Sequence, residues 1–403
     1  MCNTIKDNTI NSSLVDDNRI LKNKRISETR KSTRIKRKSQ IVKTIEVKIV
    51  NNKLSRTQKE KLELLFLEAK WFKNDIVSYT ATNDVKDYDA KIRTVQVRMG
   101  KDSDVYDERQ LKVLTASSKQ KILDNFISNI KTLKTQKNNG RKTGKIGYVK
   151  EVNSIPLKQY GKDYRINGNF VSISKIGRVR VRGLDQLSQG ADISNAQLLK
   201  KPNGYYLHIT TYYPIIIDNT IMSDYCGLDF GIKDHITTSD GDKFNTLVPE
   251  SPRLKKLQRK LTLQVKGSHN YVRNLVEIRK EYQKISNKKD DAANKIVHYL
   301  LSKYSVIYMQ DENISGWHSG LFGKQVQHSI LGRVKAKLVS NPRVIVLDRS
   351  VPTTQYCPDC GVLNKHSLDK RVYECSCGYF KDRDVHAACN MIVLGQYDNC
   401  IKR

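Results

Sequence analysis

The chain reads as a small β domain carrying inserted helices, followed by an α/β domain with a four-cysteine insertion near its end. Three observations predict this α/β plus β class. Between about 147 and 213 the apolar residues alternate with period two. After 225, strand-like apolar runs alternate with helical periodicity. Two cysteine knuckles then fall late in the chain, Cys357-Pro-Asp-Cys360 and Cys375-Ser-Cys377.

Composition narrows the function classes. The 403 residues include 73 Lys+Arg against 41 Asp+Glu, a formal net charge of +32. Such a charge repels itself unless something anionic neutralises it, and nucleic acid is the usual neutraliser. The length allows two or three domains, and 38% hydrophobic content is enough for a buried core. No run of ~18 apolar residues suggests a membrane span, and the first thirty residues lack the apolar stretch of a secretory signal. A reducing compartment follows, in which clustered cysteines read as metal ligands before disulfides.

Along the chain, residues 1–42 read as a basic disordered tail, dense in Lys and Arg from Lys22 to Lys38. The tail adds affinity for phosphate backbones, serves as a nuclear import signal, or does both. A strand covers Thr44–Val50, and Ser55 with Gln58 forms a capping box that opens a helix burying Leu62, Leu65, Phe66 and Ala69. A second helix is predicted near 108–134, followed by a basic, Gly-containing loop from Lys134 to Lys145. Strands follow around Phe170, Val179 and Tyr205, with Pro202-Asn-Gly204 as a hairpin turn, and together they suggest a barrel. Beyond 225 come three short strands, a long basic helix or helical pair over 251–303, a strand over 306–310, a helix over 325–339 and a strand over 343–348. That order predicts a mixed sheet covered by helices.

Three acidic positions stand at the predicted sheet margins. Asp229 lies in Gly227-Leu-Asp-Phe-Gly231, flanked by glycines that permit close approach of a backbone or a phosphate. Gln310-Asp-Glu-Asn313 directly follows an apolar strand, and Asp382-Arg-Asp384 precedes a helix. Carboxylates at the strand ends of an α/β sheet sit where ligands bind. Three together make a hard, oxygen-rich site suited to Mg²⁺, and a pair of such ions assists phosphodiester hydrolysis. The four thiolates of Cys357, Cys360, Cys375 and Cys377, with fourteen residues between the knuckles, have the spacing of a closed structural Zn²⁺ site, a zinc ribbon.

These motifs, in this order, resemble the TnpB proteins of bacterial transposons, their eukaryotic and viral relatives called Fanzor, and the related type V CRISPR effectors. The resemblance rests on Gly-Leu-Asp-Phe-Gly-Ile232, Gln310-Asp-Glu-Asn-Ile-Ser-Gly-Trp317, Pro352-Thr-Thr-Gln-Tyr-Cys-Pro-Asp-Cys-Gly361, Cys-Ser-Cys-Gly-Tyr379 and Asp382-Arg-Asp-Val-His-Ala-Ala388. It covers about 225–395; before 225 only the layout is shared. It implies an RNase H-like (RuvC) nuclease domain over 221–350 and 380–395, with a zinc ribbon over 351–379 and a tail over 396–403. Ahead of these it implies a wedge-like β-barrel over 43–50 and 147–220, carrying a helical recognition lobe over 51–146.

The implied activity is Mg²⁺-dependent, RNA-guided cleavage of DNA, by a protein encoded by or derived from a transposable element. Asp229, Glu312 and Asp384 would hold two Mg²⁺ ions. The implied partners are a guide RNA of the omega type and double-stranded target DNA with a short flanking motif, in a monomeric ribonucleoprotein without a membrane. The implied location is the nucleus of a eukaryotic or viral host, or otherwise the bacterial cytoplasm. A nuclease-inactive RNA-guided DNA-binding protein and a conventional transposase are the alternatives.

Two positions depart from the family pattern. Gln310 stands where the family has glutamate. If the strand continues, residues 310 and 312 share a face, so Glu312 takes that role and Asp311 is the alternative. His386 stands where the family usually has Asn and reads as a capping or packing residue rather than a metal ligand.

Overall fold

The computed structural model describes residues 6–98, 105–214, 224–365, 367 and 370–401. The chain divides into two compact units, Met1–Ile215 and Ile216–Arg403. No described helix is long and apolar enough to cross a membrane.

The first unit opens with helix α1 (Lys6–Lys38), where the sequence suggested a disordered tail. No Gly or Pro interrupts this stretch, and Lys and Arg are good helix formers. Its last turn is also anchored by contacts distant in sequence. Lys36 and Arg37 pair with Asp192 at 3.2 and 3.6 Å, and the Arg37 guanidinium lies 3.3 Å from the centre of the Tyr212 ring.

Strand β1 (Gln40–Ile49) follows, then α2 (Arg56–Tyr79). The Ser55–Gln58 capping box forms as expected, and Leu62, Leu65, Phe66 and Ala69 are buried. The next helix begins later than its apolar spacing suggested. A hairpin of β2 (Thr94–Arg98) and β3 (Tyr106–Gln110) comes first, and α3 spans Ala116–Asn138. The buried carboxylate of Glu68 accepts the backbone N–H groups of Lys112, Val113 and Leu114 at 2.7–2.9 Å, which fixes residues 112–114 as a turn.

Strands β4 (Ser154–Leu157), β5 (Tyr164–Asn167), β6 (Phe170–Ile173), β7 (Gly177–Arg182), β8 (Asp192–Lys201) and β9 (Gly204–Pro214) complete a seven-stranded sheet with β1. The order is β4-β8-β9-β1-β7-β6-β5. Every pair is antiparallel, and β1 lies in the middle. The sheet is nearly closed, because the Tyr164 hydroxyl on edge strand β5 donates to the Ser194 carbonyl of β8 at 2.9 Å. Ile45, Val47, Ile49, Leu207 and Ile209 alternate into its core, the period-two signal seen in the sequence.

The second unit contains β10 (Tyr225–Phe230), β11 (Ile236–Thr238), β12 (Lys243–Phe244), α4 (Pro252–Thr262) and α5 (His269–Lys303). Next come β13 (Val306–Gln310), α6 (Ile314–His318), α7 (Gly323–His328), α8 (Leu331–Val339) and β14 (Val344–Leu347). A small hairpin of β15 (Val372–Glu374) and β16 (Phe380–Asp382) leads into α9 (Arg383–Ile401). Residues 396–401, expected as part of a tail, thus continue α9, and residues 402–403 lie outside the described residues.

The sheet order is β12-β11-β10-β13-β14. Strands β10, β13 and β14 are parallel, whereas β11 and β12 are antiparallel. The helix expected over 325–339 is split into α7 and α8. The segment before α4 takes up the backbone at the break: Val248 N–H donates to His328 C=O at 2.9 Å, and Ile330 N–H donates to Thr246 C=O at 3.1 Å.

Leu300 of α5 and Val334 and Leu338 of α8 pack with Ile307 and Met309 of β13. Met391 of α9 packs with Tyr308 and Leu347. Helix α9 comes unusually close to the sheet. A Cβ at Gly227 would stand 1.7 Å from the Ala388 carbonyl oxygen, and one at Gly395 would stand 2.4 Å from the Tyr308 ring. Gly227→Ala is therefore expected to force α9 off β10 and destabilise the second unit by about 3 kcal/mol or more. Thermal unfolding of this variant against the parent checks this, and an unchanged midpoint would contradict it.

Candidate metal centres

Three elements converge at one end of the second sheet. Asp229 is the penultimate residue of β10. Glu312 lies two residues beyond β13, and Asp384 is the second residue of α9. A cavity of about 760 Å³ opens there, lined by Asp229 and Asp384 together with Lys233, Arg371, Arg383, Trp317 and Phe322. Glu312 is half-buried and does not line it.

Two other acids act on Asp229. Burial pushes the Asp229 carboxyl up to about 7, and the charges of Asp384 and then Glu312 push the same way. Burial also raises Glu312, against the pull of Arg349 and Lys335. Mutual repulsion in a poorly solvated site favours a shared proton or a bound cation. The donor set is all oxygen and fits a hard divalent ion such as Mg²⁺. The three carboxylates are not drawn within the 4.8 Å that marks a single tight cluster among the described residues.

Asp311 and Glu312 stand in different surroundings. Asp311 is exposed and engaged in ion pairs, with Lys335 at 2.6 Å and Arg349 at 3.7 Å. The hydrogen bond from Lys335 holds its carboxyl below the usual range. Pairing with β14 continues one step past Gln310, since Asp311 N–H donates to the Leu347 carbonyl at 3.0 Å. Gln310 is buried, and its amide nitrogen donates to the carbonyls of Asp348, Arg349 and Val351 at 3.1, 3.1 and 2.8 Å.

In Asp382-Arg-Asp384 the two acids divide the work. The Asp382 carboxylate accepts the N–H groups of Asp384 and Val385, both at 3.1 Å, and caps α9. Asp384 is thereby left on the cavity wall. The capping role of Asp382 has a sequence signal of its own, an Asp just before a helical run. His386 is fully buried, with its ring stacked 3.7 Å from that of Tyr373. Of the glycines around Asp229, Gly227 admits the backbone of α9, whereas Gly231 has open space beside it and lines the cavity.

The four cysteines form a second centre. Their sulfurs all lie within 4.8 Å of one another, the one group of metal-binding side chains that close among the described residues. Cys357 Sγ is 3.6 Å from Cys377 Sγ, and Cys360 Sγ is 3.5 Å from Cys375 Sγ. Tetrahedral Zn²⁺ with bonds of about 2.3 Å sets sulfurs about 3.8 Å apart, so the cluster fits zinc. Gly361 and Gly378 adopt φ of 75° and 93° after the knuckles, where glycine is unstrained.

Two outcomes are expected. Cys357→Ser should lower zinc content well below one per chain and reduce the melting temperature, as read by metal analysis and thermal unfolding. The second outcome concerns pH. With its carboxyl raised from 3.8 to about 7, folded Asp229 binds its proton more tightly than the unfolded chain does. In cation-free buffer the parent therefore loses stability as pH rises through that window and levels off above it. Asp229→Asn should remove this loss and be the more stable protein at pH 8, by up to about 4 kcal/mol. Unfolding of both proteins from pH 4 to 8 checks this, and parallel profiles would contradict it.

Known proteins match this region. Residues 220–316 match the family model OrfB_IS605, described as "Probable transposase", and residues 333–391 match "Cas12f1-like, TNB domain". A Streptomyces pristinaespiralis protein named "Putative RNA-guided DNA endonuclease" is 26% identical, over 42% of this chain and 44% of its own length. The Escherichia coli K12 "Putative RNA-guided DNA endonuclease InsQ" is 24% identical, over 56% of this chain and 62% of its own. "TnpB-like protein L79" of Acanthamoeba polyphaga mimivirus is 26% identical, over 42% of this chain and 37% of its own. The chain thus matches less than two thirds of the length of each of these relatives. By both family segments and by these relatives, residues 220–391 resemble the TnpB-type proteins, as the sequence motifs implied.

Proposed function

We propose that the chain is an RNA-guided DNA endonuclease that hydrolyses phosphodiester bonds at the cavity lined by the end of β10 and the first turn of α9. The observation that carries this reading is the meeting of Asp229 and Asp384 at one cavity, with Glu312 close enough to raise the Asp229 carboxyl. Three further features support it. The strand order, with β11 antiparallel to both its neighbours and β10, β13 and β14 parallel, suits the RNase H-like sheet of the RuvC type that the motifs imply. Two of the relatives carry the name RNA-guided DNA endonuclease. A net charge of +32 suits a protein that holds RNA and DNA by their backbones.

In this reading Asp229, Glu312 and Asp384 are the residues that would hold Mg²⁺. Divalent ions in such a site activate water and stabilise the oxygens of a phosphodiester displacement. The remaining roles belong to the chain itself. Lys233, Arg371 and Arg383 at the cavity attract the phosphate backbone, and Trp317 and Phe322 offer faces on which a base can stack. The four cysteines hold one zinc as a structural ribbon. The nearly closed sheet and helices of the first unit, with the basic helix α1, grip the guide RNA and read a short motif beside the target. The Lys- and Arg-rich stretch 22–38 also directs the protein to the nucleus in a eukaryotic or virus-infected host.

The test starts with the RNA that copurifies when the protein is expressed beside its native flanking DNA. A discrete RNA with an exchangeable terminal segment is expected, and the complex should cut matching DNA in Mg²⁺ but not after chelation. Asp229→Ala and Asp384→Ala should each abolish cutting without loss of RNA binding. Glu312→Ala should cut far more slowly than Asp311→Ala. Cutting that survives ribonuclease treatment of the complex would favour a conventional transposase. RNA-directed binding without cutting in the parent would favour a nuclease-inactive protein.

A further inference from the structure

A path of hydrogen bonds and one ring stack, buried over most of its length, runs from the strand end before Glu312 to the four-cysteine cluster. It passes along α9 just beyond Asp384. Gln310, Thr353, His386 and Asn390 are 6%, 3%, 0% and 0% exposed. The Gln310 amide nitrogen faces three carbonyls of the 348–351 turn, and its oxygen accepts from the Thr353 hydroxyl at 3.2 Å. Neither a flipped amide nor a carboxylate fits there, because an acceptor would face three acceptors.

The same logic governs the next link. Asn390 donates to the carbonyls of Thr353 and Tyr356, both at 2.7 Å, which uses both of its protons. Its nitrogen also lies 3.1 Å from His386 Nε2. That contact is tolerable only if Nε2 is unprotonated, so the ring proton is assigned to Nδ1, which donates to the Tyr379 hydroxyl at 3.3 Å. Asn390 Oδ1 is buried without a hydrogen-bond partner. An apolar residue would avoid that cost, so Asn390 is explained by its donors.

The path then reaches metal. The His386 ring stacks on Tyr373, whose hydroxyl donates to Gln355 C=O at 3.1 Å. Asn364 lies 3.4 Å from that hydroxyl and donates to Cys375 Sγ at 3.1 Å. Both positions that depart from the family pattern, 310 and 386, lie on this path.

We propose that Gln310, Thr353, Asn390 and His386 are positioning residues, a buried tie through which the four-cysteine cluster holds Glu312 and Asp384 in register. The proposal rests on the reading that the cysteines hold zinc and the carboxylates hold divalent cations.

Two measurements on the full chain test it without nuclease activity. The first is the rate of zinc release to a colorimetric chelator. Gln310→Met and Thr353→Val, neither of which touches a cysteine, should each speed release by about tenfold. Thr353→Val is isosteric and covers the case in which Gln310→Met fails to fold. Both cut the same link, so the double variant should release zinc no faster than the quicker single variant. Release rates equal to the parent's, rates that multiply in the double variant, or a parent chain without zinc would each overturn the tie.

The second measurement is Mn²⁺ binding followed by electron paramagnetic resonance. Affinity should fall by about tenfold in the same variants and in His386→Phe, which keeps the ring stack but removes both ring nitrogens. Equal affinity in parent and variants overturns the proposal. A parent that binds no Mn²⁺ overturns the cation reading itself, and the tie is then judged on zinc release alone.

Discussion

The close approach of α9 to β10 is the constraint on which the second unit depends. Gly227 has no Cβ, and the Ala388 carbonyl occupies the space that a Cβ would need. Ala387 and Ala388 are fully buried, so the helix presents its smallest residues to the sheet. Gly395 repeats the arrangement two turns later against Tyr308 of β13. With the helix axis fixed at two points, its first turn stands beside the end of β10. Asp384 meets Asp229 because glycine and alanine are packed a few residues away from each acid.

That meeting places negative charges together in a strongly basic chain. The surrounding Lys and Arg could have neutralised them, and elsewhere they do: Asp311 pairs with Lys335, and Asp234 and Asp382 share Lys243. For Asp229 the one cation among its main influences, Arg383, ranks behind burial and two other acids, and all three of these disfavour its charge. An acid kept beside acids is what the proposed cation site requires. Asp382 shows the contrast, since backbone N–H groups and Lys243 make its charge useful to the fold.

The sequence was most informative where chemistry is local. The Ser55–Gln58 capping box, the Pro202-Asn-Gly204 turn and the glycines after each cysteine knuckle need only neighbouring residues, and all are found. The cysteine cluster was legible for the same reason, because two short knuckles bring their own ligands. Elements decided by distant partners were misread. Helix α1 ends on Asp192 and Tyr212, more than 150 residues away. The β2–β3 hairpin and the late start of α3 follow from Glu68 capturing the N–H groups of 112–114, a contact with no signal near residue 112. Helices α7 and α8 are separated by hydrogen bonds from residues 246–248, far upstream. At the site, the alternation rule needs a strand through 312, but β13 ends at Gln310 and the Glu312 N–H folds back onto the Gln310 carbonyl at 2.9 Å. The ion pairs that occupy Asp311 were invisible until Lys335 and Arg349 were placed.

Gln310 shows what fixes an uncharged amide at the end of β13. A glutamate there would bring a charge to the end of β13, but this chain spends the position on the turn after β14. The three carbonyls at 348, 349 and 351 need a donor, and in a buried setting each unmet acceptor is costly. An amide satisfies them and a carboxylate would repel them. Once the turn has taken that shape, acidity is compatible with the site only at a residue free of the turn. Glu312 is such a residue, since Lys335 holds its backbone carbonyl at 2.6 Å and leaves its carboxyl to burial and the neighbouring charges. The loss of acidity at 310 and its presence at 312 are then two consequences of how one loop is tied down.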